Sequence, residues 1–89
     1  MNSQTTPQFW QLYSQLPGDV RRRAVKTCRI WREHPNSPGL QFKLVGKRRP
    51  VYSVRVTDSY RALGLLEGET MYWFWIGTHN EYERIIRSA

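Results

Sequence analysis

The chain of 89 residues has a single cysteine, Cys28. A lone thiol cannot close a disulfide within the chain, which fits a reducing compartment. No set of Cys, His, Asp and Glu residues has the spacing of a metal site, so no metal and no other cofactor is expected. Long apolar runs are missing too. The longest, Met71–Ile76, falls far short of the roughly 20 residues that span a bilayer. Met1–Thr6 is polar and has no apolar signal region. Acidic residues are few, and no nucleophile triad or paired carboxylates stand out. These absences describe a soluble, cytoplasmic protein without membrane, metal or disulfide chemistry.

The length suits one domain spanning residues 1–89. With 3 Phe, 4 Trp and 5 Tyr, large aromatic rings must supply much of a small core. The net charge of +7 is unevenly placed. Residues 1–49 carry ten Lys/Arg against Asp19 and Glu33, and residues 50–89 carry four Arg against five acids. A basic half of this kind suits a polyanion such as nucleic acid, or an acidic protein segment.

Thr6-Pro7 opens a helix, with Thr as N-cap and Pro at the first helical position. Phe9, Leu12, Tyr13 and Leu16 form its apolar stripe, and Pro17-Gly18 ends it. A second helix runs from about Pro17–Asp19 to Glu33, with Val20, Ala24, Cys28 and Trp31 on one face and mostly Arg and Lys on the other. After the loop His34–Gly39 the period changes to two. Leu40, Phe42 and Leu44 alternate as a strand, followed by Val51–Val56, Tyr60–Leu66 and Glu69–Ile76. Asn80–Arg87 forms a short helix with Tyr82, Ile85 and Ile86 inward. The expectation is an α+β fold: two N-terminal helices on one face of a four-stranded antiparallel sheet, then a short C-terminal helix. The fourth strand is apolar on both sides, which points to an interior position, or to a partner or dimer contact.

If Thr57-Asp58-Ser59 is a three-residue loop, Arg55 sits opposite Arg61; a two-residue loop sets Arg55 against Ala62 instead. Two opposed Arg repel unless an anion lies between them. Counting back from a Glu67-Gly68 turn places Phe74 beside Arg61 and Tyr72 beside Leu63. One face then carries Ser53, Arg55, Arg61, Leu63, Tyr72 and Phe74, with His79 and Tyr82 close to its end. Arg holds phosphate, aromatic rings stack on bases, and His transfers protons near neutrality. Those are the requirements of RNA cleavage without a metal. Lys43, Lys47, Arg48 and Arg49 form a basic stretch suited to further phosphate contacts or to solvation alone.

Val51–Val56 with its Arg55, then Tyr60-Arg61-Ala62-Leu63, then Trp73–Gly77 followed by Thr78-His79, resemble the RelE/ParE toxin superfamily. Leu16-Pro17 and Arg21-Arg22-Arg23 resemble the second helix of those toxins, so the likeness covers about residues 16–87. The resemblance implies a type II toxin–antitoxin system and a cognate acidic antitoxin as partner. In the RelE-like branch it implies metal-independent cleavage of mRNA on the ribosome. The ParE-like branch inhibits gyrase without chemistry of its own, and a degenerate member would only bind its antitoxin. By motif position, Arg55, Arg61, His79 and Tyr82 become the catalytic candidates, and Lys43, Lys47, Arg48 and Arg49 the RNA-binding ones. Many members begin with a β-strand, which Met1–Thr6 does not evidently provide. An open sheet edge of this kind, or the Trp-rich strand, would be the route to a homodimer. Some members use a Glu as general base, and Ser37–Val45 contains no acid.

Overall fold

The computed structural model describes residues 2–88. Its elements are β1 (Asn2–Thr5), α1 (Pro7–Ser14), α2 (Gly18–Glu33), β2 (Lys43–Leu44), β3 (Val51–Thr57), β4 (Tyr60–Glu67), β5 (Thr70–Thr78) and α3 (His79–Ser88). Both N-terminal helices form where the sequence places them. Thr6 caps α1: its backbone is extended and its side chain accepts from the Phe9 N–H at 3.2 Å. The α+β class holds, but the sheet has five strands in the order β1-β5-β4-β3-β2, and one pair is parallel.

The added strand is β1. Asn2–Thr5 runs parallel to Thr70–Trp73, and the Thr6 N–H donates to the Trp73 carbonyl at 3.1 Å. Its side chains are almost all exposed. Backbone pairing holds it, so hydropathy patterning could not reveal it. At the other edge the expected strand over Leu40–Leu44 shrinks to Lys43–Leu44. Pro38–Leu40 is a 3₁₀ turn, and Gln41 takes a left-handed φ of 46°. The turn delivers Leu40 and Phe42 to the core with the spacing of a strand but without its ladder.

Each sheet face has its own core. Leu16, Val20 and Trp31 from the helical region pack on Val54, Val56, Ala62, Met71, Trp73 and Ile76. On the opposite face, Tyr82 of α3 packs on Leu63 and Trp75, with Ile85 and Ile86 beside it. The N-terminal helices therefore cover one face, and α3 covers the other. A β-bulge makes this possible. Gly64 pairs with Trp73 and Leu63 with Trp75, which leaves Phe74 as an extra residue in β5. One inserted residue reverses the side-chain alternation. Trp73 and Trp75, two apart, consequently enter different cores, at 5% and 8% exposure. β5 lies between β1 and β4 with both indoles buried, while Tyr72 on the same strand is 37% exposed.

Candidate active site

The β3–β4 turn determines which polar side chains meet. Thr57 pairs with Tyr60, so the loop is Asp58-Ser59. A two-residue loop alone would set Arg55 against Ala62. A second bulge, at Val56, moves the register by one, and Arg55 lies directly opposite Arg61. Neither loop length considered from the sequence gives the observed arrangement, but the Arg55–Arg61 pairing is present.

Register across β4–β5 differs from the count made from the sequence. The turn is Gly68-Glu69, with Gly68 at φ +60°, and the Phe74 bulge follows it. Arg61 therefore lies opposite Gly77, not Phe74, and Leu63 opposite Trp75, not Tyr72. Gly77 has a packing reason. A Cβ there would lie 2.6 Å from Trp75 Cζ2, so any side chain would collide with the indole.

Arg61, His79, Asp58, Ser59, Tyr60, Thr78 and Asn80 line an open cleft of about 380 Å³ at this end of the sheet. Arg61 Nη1 donates to the carbonyls of Thr57 (2.7 Å) and Tyr60 (3.0 Å). Arg55 forms an ion pair with Asp58. His79 is fixed from two directions: its N–H donates to the Ser59 carbonyl at 2.8 Å, and its Nε2 faces Glu83 Oε1 at 3.3 Å.

The first turn of α3 is a capping box. Glu81 Oε1 accepts from Thr78 Oγ1 at 2.8 Å and from the Thr78 N–H at 3.2 Å, and the Glu81 N–H donates back to Thr78 Oγ1. The Thr78 hydroxyl, then its N–H, hold the Glu81 carboxyl below the ordinary carboxylate value, and Arg84 adds a smaller pull. This cap fixes where α3 begins and hence where the His79 ring stands.

The remaining candidates lie elsewhere. Tyr82 is 3% exposed, and its hydroxyl donates to Ser53 Oγ at 3.3 Å inside the second core. Its ring stands 5.5 Å from that of His79. Tyr82 is thus not among the residues that line the cleft. Lys43, Lys47, Arg48 and Arg49 are exposed. Lys43 pairs with Ser53. Lys47, Arg48 and Arg49 sit in the β2–β3 connection, at the far end of β3 from the cleft, about 20 Å away at strand rise. Two polar neighbours went unassigned in the sequence reading. Asp58 lies three residues from Arg55 across a tight turn, and Glu83 four from His79 on a helix, a spacing that puts both on one face. Among the described residues, no group of three or more His, Cys, Asp or Glu side chains converges to hold a metal.

The sequence pattern of the ParE-like toxin domain matches residues 18–84. The chain belongs to the ParE-like toxin domain family. No curated protein matches the sequence. Among solved structures, the fold is similar to a chain of the RelB–RelE antitoxin–toxin complex from Methanococcus jannaschii (17% identity, TM-score 0.70, 92% of this chain and 96% of that one). It is also similar to YafQ from E. coli (8% identity, TM-score 0.74, 91% and 96%). A third is the YoeB/ParE toxin from Agrobacterium tumefaciens (16% identity, TM-score 0.69, 89% and 99%). At these identities the likeness is one of fold. No helix among the described residues is long and apolar enough to cross a membrane.

Proposed function

We propose that this ParE-like domain is the toxin of a type II toxin–antitoxin pair and cleaves mRNA on the ribosome without a metal, thereby inhibiting translation. The observation that carries this reading is the cleft where Arg61 and His79 meet, with Arg55 beside them. A phosphodiester in the cleft would meet the Arg61 guanidinium, with Arg55 directly opposite it on the neighbouring strand, to neutralise the charge that builds on phosphorus. His79, anchored through its backbone to Ser59 and through Nε2 to Glu83, presents a ring nitrogen for general acid or base work. Tyr82 supports the His79 ring from below and takes no part in proton transfer. Lys43, paired with Ser53, lies two residues along the sheet from Arg55, whereas Lys47, Arg48 and Arg49 lie too far along β3 to touch the same phosphate. They would engage phosphates of a larger RNA, as a ribosome-bound message provides. A net charge of +7 also suits an acidic antitoxin, and a cytoplasmic setting follows from both partners.

The test is induced expression in a bacterial host, with mRNA 5′ ends mapped by primer extension. Growth arrest with new cuts in translated messages is expected for the wild type, and neither for Arg61→Ala. Arrest without cuts, unchanged in His79→Ala, would move the reading to gyrase inhibition. A fully toxic Arg61→Ala would remove the cleft from the mechanism.

A further inference from the structure

The two cleft-side arginines are held differently. Arg61 lines the cleft and braces the turn through main-chain carbonyls. Arg55, directly opposite it, does not line the cleft and is paired with Asp58. Asp58 is the one acid that lines the cleft, and its side chain is 90% exposed. It projects from a loop of two residues, kept in shape by the Ser59 N–H donating to Thr57 Oγ1 at 3.1 Å. The repulsion between two opposed arginines is thus relieved by an anion the chain itself supplies.

We propose that Asp58 is a built-in competitor for the phosphate of the substrate. Its carboxylate occupies Arg55 in the protein by itself, and binding of a phosphodiester exchanges one anion for the other. This rests on the reading of the cleft as a phosphodiester site. The guanidinium fork accepts carboxylate or phosphate with the same geometry, so the exchange needs only a side-chain rotation. The Asp58 side chain is 90% exposed and that of Arg55 29%, and a pair this open to solvent is weak enough to exchange. The consequence is selectivity. A ligand that offers a phosphate alone gains little by displacing Asp58, whereas one that also stacks and makes remote phosphate contacts overcomes it.

The test is fluorescence anisotropy with a labelled, single-stranded 2′-O-methyl oligoribonucleotide, which has no free 2′-hydroxyl to react. Wild type, Asp58→Asn, Arg55→Ala, the double variant and Arg61→Ala are compared at one fixed low salt concentration. Asn preserves the turn chemistry of Asp, and melting curves check that each variant is folded. Asp58→Asn should bind about two- to fivefold more tightly, and the gain should vanish when Arg55 is already Ala. Equal or weaker binding by Asp58→Asn overturns the proposal, as does an equal gain in the Arg55→Ala background, which would mean a general charge effect. If Arg61→Ala still binds less than wild type, only the proposal on Asp58 falls. If Arg61→Ala binds as wild type does, the phosphodiester reading of the cleft falls with it.

Discussion

Tyr82→Phe separates a supporting role from a chemical one. The substitution removes one oxygen from a side chain that is 3% exposed and leaves its ring packed on Leu63 and Trp75. The lost bond, 3.3 Å from Tyr82 to Ser53 Oγ, is longer than the usual hydroxyl pair, so its own contribution is at the low end of about 0.5–1.5 kcal/mol. Ser53, 2% exposed, is then left with a buried hydroxyl short of a partner, which adds to the cost. A total of about 1–2 kcal/mol follows. For a domain of this size each kcal/mol lowers the melting temperature by roughly 4–8 °C. The assay is paired: urea unfolding followed by tryptophan fluorescence, and growth arrest on induction. Tyr82→Phe should be measurably less stable and still fully toxic at a temperature where it is folded. Unchanged stability together with lost toxicity would refute the argument and put the hydroxyl into the chemistry.

Gly77→Ala drives a methyl to within 2.6 Å of Trp75 Cζ2 and should cost about 1–3 kcal/mol by overpacking, visible in the same urea curves. Thr78→Ala removes the α3 cap and should cost about 0.5–2 kcal/mol, with loss of helical signal at the C-terminal end by hydrogen exchange. The Glu81 carboxyl titrates lower in the folded chain than its ordinary 4.5. Its contribution to stability is therefore present above that value and lost as pH falls through the lower, folded one. In Glu81→Gln this part of the acid limb should flatten, as melts from pH 6 to pH 2 would register. Replacing Lys47, Arg48 and Arg49 together by Ala should reduce the slope of log binding constant against log salt by about 2 for single-stranded RNA, if each makes one phosphate contact. An unchanged slope would mark them as a solvated loop.

The sequence was most legible where one side-chain property decides the outcome. Thr6-Pro7 located α1, the Val20–Trp31 stripe located α2, and the turn residues located three hairpin strands, because capping, periodicity and turn chemistry are local. What escaped depends on the backbone or on single-residue insertions. β1 consists of polar residues held by main-chain bonds to β5. The bulges at Val56 and Phe74 carry no residue signature, yet they decide that Arg55 meets Arg61 and that Trp73 and Trp75 part. Arg61 and His79 both line one cleft. Tyr82 did not join them, since its helical face points into the second core. The Thr78-His79-Asn80-Glu81 capping box was readable and would have fixed the start of α3 one residue earlier than the periodicity did.

The pairing of β1 with β5 also sets a timetable. Asn2–Thr5 leaves the ribosome well before its partner, Thr70–Trp73. Such a long sequence separation slows closure of the sheet and defers it until Thr70–Trp73 has been made. Gly77, Thr78 and His79 come later still. A growing chain therefore carries every basic residue of α2 before the residues that build the cleft have been made.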